Sequence, residues 1–308
     1  MTLLATRSRR SSQALKGFLL YALIRAAAWL AQRLPLSWNY AIGDFSADVV
    51  FLVWQRGRRN MIDNMRHVLG PAAAGAELRR TARRALRNYL RYLADFLRSP
   101  LFTPESEIRR LQFDDWYRFA KAKAAGKGTV FVGLHMGNWD LGGALLARNG
   151  YPMHVIMETF ANGRLNTWVR ATRERLGMVT IPVEEAARGA LRALRQNEGV
   201  AILMDRPLQP GEGGVEIEFC GARTTIPAGA ATISLRTGAP IVTCAMVRLA
   251  DNTFRGMVLG PYFPTNTGDM RTDIQTLTQR VMDDFDHWVH QYPDQWYMFR
   301  RMWYAGSV

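Results

Sequence analysis

The chain has 308 residues and a mass of 34.9 kDa, of which 48% are hydrophobic and 21% charged, with ordinary Gly and Pro counts of 26 and 13. That is enough apolar material for one large core or two modest lobes, and it excludes a disordered chain or a fibrous repeat. Forty Lys plus Arg against 26 Asp plus Glu leave a net charge of +14, mostly carried by Arg, which suits an anionic partner: a lipid surface, a nucleic acid or a phosphorylated substrate.

The first segment joins Arg7, Arg9, Arg10 and Lys16 to an apolar stretch from Phe18 to Ala31 that is interrupted by Arg25. A spanning helix needs about 20 consecutive apolar residues, so this stretch predicts a helix lying on a membrane surface or packed on the domain. From Trp38 to Trp54 a second apolar stretch carries Asp44 and Asp48 four residues apart, which predicts an amphipathic helix with its acids on one stripe. Between Arg56 and Arg98 there are eleven arginines and three acids, with Arg80, Arg84, Arg87 and Arg91 at helical spacing. Beside two apolar helices this basic face is expected to meet an anionic leaflet, where each Lys or Arg contributes about 1 kcal/mol.

Near residue 125 the pattern shifts, which divides the chain into a helical, basic, membrane-associating portion, 1–125, and an α/β core, 126–308. Short apolar runs at 129–134, 152–157, 178–183, 200–205, 215–219, 240–247 and 254–259 read as strands. Helices are predicted between several of them, at 139–148, 164–176, 185–196 and 228–236, with a last one over 270–290. The alternation predicts an α/β fold with a mixed, mostly parallel sheet flanked by helices.

Common catalytic signatures are missing: no G-x-S-x-G elbow, Walker loop, dinucleotide fingerprint or H-E-x-x-H helix occurs. The two cysteines, Cys220 and Cys244, are too few for a disulfide scaffold and lack the paired spacing of a structural zinc site. His287 and His290 stand near Asp283 and Asp286 and could contribute metal ligands, but no second ligand cluster is apparent, so no metal is expected. Cys220 reads as a small buried hydrophobe rather than a nucleophile.

The block Gly133-Leu134-His135-Met136-Gly137-Asn138-Trp139-Asp140 follows the apolar strand directly. A His at the carboxyl end of a strand in an open sheet stands where ligands bind. Asp140, one helical turn on, could accept the Nδ1 proton and leave Nε2 as a general base. A base with an orienting acid and no nucleophilic Ser or Cys suits a substrate that brings its own hydroxyl, as in acyl transfer from a thioester to an alcohol.

His135 through Asp140 matches the H-x-x-x-x-D motif of glycerolipid acyltransferases. Its flanks resemble the bacterial branch that contains the lipid A lauroyl and myristoyl acyltransferases and the phosphatidylinositol mannoside acyltransferases. The likeness continues in Arg58-Arg59-Asn60 through Asn64, His67-Val68-Leu69-Gly70, Glu158 with Arg164, Asp205-Arg206, Gly214-Val215-Glu216, Phe219-Cys220-Gly221, Pro227-Ala228-Gly229 and Tyr292-Pro293-Asp294-Gln295-Trp296. One departure is Cys220, where the family often places a second aromatic residue; another is Arg300-Arg301, where a His before the Arg is frequent.

The resemblance implies a fatty acyl group carried by acyl-CoA or acyl carrier protein, no resident cofactor, and a glycolipid acceptor of the phosphatidylinositol mannoside or lipid A precursor type. It implies Glu158 and Arg164 as contacts to a phosphate or sugar headgroup. Asp205 and Arg206 are then either a pocket-fixing pair or substrate contacts, and Glu216, after the Gly211 to Gly214 loop, stands toward the acceptor or catalytic side. Backbone N–H groups at Gly137, Asn138 or Gly229 are candidates for oxyanion stabilisation. The expected location is peripheral, on the cytoplasmic face of an inner or plasma membrane. Two alternatives are a lysophospholipid or glycerol-phosphate acyltransferase with the same chemistry, and a non-enzymatic nucleic-acid-binding protein gripping phosphates through the Arg80 face. No nucleic-acid-binding module supports the last.

Overall fold

The computed structural model describes residues 2–103, 110–209 and 212–303, with side chains described from residue 16 onward. The side chains of Arg7, Arg9 and Arg10, and Gly211 of the expected loop, therefore lie outside the described residues. Four helices open the chain: α1 (Thr2–Arg33), α2 (Leu36–Val53), α3 (Gln55–Leu69) and α4 (Gly75–Arg98). Then come β1 (Leu111–Gln112), α5 (Trp116–Lys123), β2 (Thr129–Gly133), α6 (Trp139–Arg148), β3 (Met153–Met157), α7 (Gly163–Arg175), β4 (Met178–Pro182), α8 (Ala186–Arg195) and β5 (Gly199–Leu203). The chain closes with β6 (Val215–Phe219), β7 (Ala222–Ile226), α9 (Gly229–Thr237), β8 (Ile241–Arg248), β9 (Phe254–Tyr262) and α10 (Met270–Gln291).

Seven strands form one sheet in the order β1-β9-β8-β2-β5-β3-β4, in which the β8–β9 pair is antiparallel and the other pairings are parallel. This is the mixed, mostly parallel sheet flanked by helices that the alternation predicts. Its central strand β2 is buried from Thr129 to Val132, as a parallel strand covered on both faces must be. β3 and β4 lie on one side of β2 and β8 and β9 on the other, so a crevice forms outside its carboxyl end, where open sheets place ligands.

Three elements were not predicted. β1 has only two residues, α5 only eight, and β7 is a run of Arg, Thr and Ile that pairs with β6 as a separate antiparallel hairpin. None carries enough apolar periodicity to announce itself.

The N-terminal helices do not stand apart. Ala47, Phe51, Met61, Met65, Leu78, Ala82 and Leu86 share one apolar cluster with β2, β5, α9 and α10. A second cluster on the other face of the sheet joins Phe119 of α5, Ala144 and Leu146 of α6, Phe131, Met153, Met178, Val242 and Val258.

The basic face of α4 is not the free stripe that its spacing suggests. Asp44 and Asp48 do share one side of α2, and that side meets α4. Arg91 donates to Asp44 at 2.8 and 2.6 Å, Arg83 donates to Asp48 at 2.6 and 2.5 Å, and Arg87 joins it on the same carboxylate. Arg84 pairs with Asp294 at 2.7 Å. The two helices thus neutralise each other, and the arginines expected to meet lipid are mostly engaged within the protein.

What α2 turns outward is apolar: Trp38, Ile42, Phe45, Val49 and Leu52 recur every three or four residues and are all exposed. Phe18, Leu19, Leu20, Leu23, Trp29 and Leu30 of α1 are exposed as well. Among the described residues, no helix is long and apolar enough to cross a membrane.

Deeper in, Asp95 of α4 accepts from Tyr40 of α2 at 2.8 Å and from Arg248 of β8 at 2.5 Å, and Arg248 also donates to the Tyr40 hydroxyl at 2.8 Å. The Arg248 and Asp95 side chains are 4% and 1% exposed. Removing one member of a buried pair leaves the other charge uncompensated. Asp95→Ala is therefore expected to lower the unfolding free energy by about 3–5 kcal/mol in chemical denaturation; a change below about 1 kcal/mol, the usual scale of an exposed pair, would show that the network does not hold the helices to the sheet.

Candidate active site

β2 ends at Gly133, and Leu134-His135-Met136 crosses the mouth of the crevice before Asn138 caps α6 by accepting from the Leu141 N–H at 3.0 Å. Gly137 is required here: its φ is +60°, and a Cβ at this position would collide with the carbonyl oxygen of Met246. The turn is pinned on both sides, since the Gly137 N–H donates to Gln295 O at 2.9 Å and the Asn138 N–H to Met246 O at 2.7 Å. These two N–H groups, expected as oxyanion donors, are spent on the fold. Gly229, the third candidate, opens α9, at whose start no side chain makes a capping hydrogen bond.

The imidazole of His135 is held by Asp205 and not by Asp140. His135 Nδ1 lies 2.7 Å from Asp205 Oδ1, and the His135 N–H donates to Asp205 Oδ2 at 2.9 Å. Trp296 Nε1–H donates to the same Oδ2 at 3.0 Å. Asp205 is 0% exposed, so its charge survives only because these three donors surround it.

Burial alone would raise its pKa; the charge and hydrogen bonds of His135, with the Trp296 bond, bring it below the ordinary value. An ionised Asp205 fixes the tautomer: Nδ1 carries the proton and Nε2 presents its lone pair. The His135 pKa is subject to the same contest. Burial pulls it down, but the charge and hydrogen bond of Asp205, aided by Glu158, outweigh burial and raise it above 6.5. Trp139 stands edge-on to the imidazole at 5.3 Å, and the Tyr297 N–H donates to the His135 carbonyl at 2.8 Å, so ring and backbone are both held.

Asp140 points the other way, for a physical reason: two stronger donors claim it. Arg173 of α7 donates to it at 2.7 and 3.3 Å, and the buried Tyr92 hydroxyl donates at 2.7 Å. Burial would lower the Arg173 pKa, but Asp140 more than restores it; burial, then Asp140, pushes Tyr92 well up. Motif spacing could not reveal Asp140's partners, because Tyr92 and Arg173 are 48 and 33 residues away.

The headgroup candidates also take other partners than expected. Arg206 does not pair with Asp205; it reaches Glu158 at 3.5 Å across the mouth, and both are half-exposed or more. Glu158 therefore does not orient Arg164, whose guanidinium lies 5.2 Å above the Phe18 ring of α1. Glu216 sits on the β6–β7 hairpin facing Arg223 at 3.5 Å, and no hydrogen bond or ion pair among the described residues joins it to His135. Residues missed by sequence reasoning are Trp296, Arg173, Tyr92 and Tyr297. Only Trp296 left a trace, in the Tyr292 to Trp296 block.

Beside the His135 turn a cavity with about 890 Å³ of free space, counting its open mouth, runs between the sheet and α6. Gly133, Leu134, Met136, Trp139, Asp140 and Arg173 line it near the turn, and Phe113, Phe119 and Phe131 elsewhere. Gly142 on α6 leaves room, since a Cβ there meets only Met246 at 3.7 Å and beyond, whereas Gly143 and Gly256 admit the Met178 and Phe113 side chains that form part of the wall. Apart from the mutually neutralised Asp140–Arg173 pair the wall is apolar, which suits a hydrocarbon chain and little else.

A ¹⁵N NMR titration of the His135 ring should give a midpoint above 6.5 in the wild type and a lower one in Asp205→Asn, where burial is no longer opposed. Because the folded value is the raised one, the ionic part of this contact contributes stability in full below about pH 6.5 and loses it as pH rises through the folded pKa. An unchanged midpoint in Asp205→Asn would refute the coupling.

Residues 6–305 match the family described as bacterial lipid A biosynthesis acyltransferase. Among curated proteins, the chain is similar to a phosphatidylinositol mannoside acyltransferase of Mycolicibacterium smegmatis (strain ATCC 700084 / mc(2)155), 28% identical over 287 residues, covering 91% of this chain and 90% of that one. Phosphatidylinositol mannoside acyltransferases of Mycobacterium tuberculosis strains CDC 1551 / Oshkosh and ATCC 25618 / H37Rv are each 27% identical over 289 residues, covering 91% of this chain and 87% of theirs. With its family profile matched almost from end to end, the chain is an acyltransferase and belongs to the bacterial lipid A biosynthesis acyltransferase family.

Proposed function

We propose that this acyltransferase works at a membrane surface, moving a long-chain fatty acyl group from acyl-CoA or acyl carrier protein to a hydroxyl of a glycolipid, with His135 as general base. The observation that carries the reading is the His135 Nδ1–Asp205 hydrogen bond beside an apolar cavity. Nε2 takes the acceptor hydroxyl's proton as that oxygen attacks the thioester carbonyl carbon, and the buried Asp205 carboxylate stabilises the imidazolium. When the tetrahedral intermediate collapses, the C–S bond breaks and the departing sulfur receives the proton from Nε2. The donor's tail lies in the cavity. Asp140 acts as an anchor, holding Arg173 at the cavity wall and accepting from the buried Tyr92 hydroxyl, and not as a partner of the base.

Glu158, Arg164 and Arg206 are exposed, and Glu158 is near enough to His135 to act on its charge, so these are the groups available to a charged or hydroxylated headgroup. The relatives' names favour a phosphatidylinositol mannoside acceptor over a lysophospholipid or glycerol phosphate. The N–H groups opening α9 at Gly229 remain the backbone candidates for the oxyanion. The exposed apolar residues of α1 and α2 would seat the protein peripherally on the leaflet that holds the acceptor, most plainly on the cytoplasmic face where acyl thioesters arrive.

In a transfer assay with labelled acyl thioester and a lipid extract, His135→Ala is expected to lose at least about a thousandfold in rate, within the range for loss of a general base and its charge stabilisation. In the same assay Gly142→Leu should discriminate against long chains. A Cβ at Gly142 meets only Met246, at 3.7 Å or beyond, so the leucine projects into the cavity without displacing backbone. Palmitoyl transfer should fall relative to octanoyl by about 0.8 kcal/mol for each methylene denied a place. Near-wild-type activity in His135→Ala would remove the base, and an unchanged chain preference in Gly142→Leu would remove the cavity as the tail site.

Membrane docking is tested separately by vesicle sedimentation. Phe45→Asp combined with Leu52→Asp should release the protein from anionic vesicles, whereas Arg84→Gln with Arg87→Gln should change binding less, since those arginines already face Asp294 and Asp48. The opposite ranking would return the docking role to α4.

A further inference from the structure

A second cluster of ligating side chains lies outside the acyl-transfer site, where the β6–β7 hairpin meets α10. The register pairs Phe219 with Ala222, so Cys220 and Gly221 form a two-residue turn with φ values of +48° and +70°. Turns of this kind favour Asn, Asp or Gly at both positions, and a cysteine pays a conformational cost there. Cys220 is nevertheless 96% buried against α10, being 4% exposed, and among the described residues its sulfur makes no hydrogen bond. The backbone is served without it: the Cys220 N–H donates to Asp286 Oδ2 at 2.6 Å, a bond that any residue at 220 except proline could make.

The sulfur instead faces two further ligand atoms. Asp286 and His290 are one helical turn apart on α10, with His290 Nδ1 2.7 Å from Asp286 Oδ1. The Cys220 Sγ, a carboxylate oxygen of Asp286 and a ring nitrogen of His290 all lie within 4.8 Å of one another. Ligands about 2.0–2.3 Å from a tetrahedral zinc are themselves roughly 3.3–3.7 Å apart, so binding would turn the exposed His290 ring out of its contacts with Asp286 Oδ1 at 2.7 Å and the Asp286 backbone carbonyl at 2.8 Å, opening that pair to admit the ion. The ligand types are those of a borderline-soft cation, and His290, 46% exposed, leaves a fourth position open to water. In sequence, the histidines of α10 lacked a second ligand cluster; the hairpin supplies the missing sulfur from 70 residues away.

We propose that Cys220, Asp286 and His290 bind a thiophilic divalent cation of the zinc class, which clasps the β6–β7 hairpin to α10. Binding displaces the thiol proton to solvent and involves no redox change. The clasp adjoins the acyl-transfer site through one packed ring: Phe219 stands edge-on to Trp296 at 5.5 Å, and Trp296 holds Asp205.

The test uses untagged, full-length protein stripped with chelator and titrated with Co²⁺, then with Zn²⁺. One equivalent of Co²⁺ should give a thiolate-to-metal charge-transfer band that Zn²⁺ abolishes. Cys220→Gly, a change that relieves the turn, should lose the band while keeping its circular dichroism. His290→Ala, at an exposed helix position, should weaken Zn²⁺ binding at least about tenfold. The site is refuted if stoichiometric Co²⁺ gives no thiolate band, or if the band persists in Cys220→Gly. Because metal binding is read directly, the outcome is independent of whether His135 is the base.

Discussion

The site depends on one fully buried carboxylate. Asp205 has no access to water, and a charge so placed is tolerated only where donors replace the solvent it has lost. Three donors do so: the His135 N–H, His135 Nδ1–H and Trp296 Nε1–H. They come from the ends of β2 and of the chain, and Asp205 itself from just beyond β5. Satisfying this single group therefore locks together the central strand, its parallel neighbour and the C-terminal segment. The same arrangement that makes the burial tolerable selects the imidazole tautomer and leaves Nε2 without the proton.

A parallel economy governs the charged helices. Most of the arginine excess on α4 is drawn inward, toward Asp44 and Asp48 on α2 and Asp294 in the C-terminal segment, while the helix's own Asp95 accepts from Arg248 of β8. By taking up the polar side of α2, these pairs force its apolar side outward. The exposed stripe from Trp38 to Leu52 is thus a consequence of how α2 and α4 neutralise each other. The contacts that hold these helices together also decide which face of α2 is left exposed.

The cavity follows from small residues placed on facing elements. Gly142 on α6 leaves open space beside Met246, while Gly143 on α6 and Gly256 on β9 admit the side chains of Met178 and Phe113, which form part of the wall. Asp140 and Arg173 bring charge to that wall, and each cancels the other. An apolar slot that carries no net charge opens beside the His135 turn, and a slot of this kind suits a hydrocarbon chain.

Much of this was legible from the residues alone. Seven apolar runs marked seven of the nine strands, since a parallel sheet covered on both faces must be continuously apolar. The Gly133 to Asp140 block marked the turn beside the cavity, which needs Gly at 137 and a cap at 138. Pairing between distant residues was not legible. Nothing local to His135 distinguishes an acid five residues ahead from one seventy residues ahead, and only the β2–β5 register brings Asp205 beneath the imidazole while Arg173 and Tyr92 draw Asp140 away. Composition and periodicity determined most of the elements and the sheet class, because these depend on short-range patterns. The tertiary structure alone decided which carboxylate holds the His135 imidazole, which arginines are paired and which helical face meets solvent, because each outcome is a competition among donors and acceptors that only folding brings into contact.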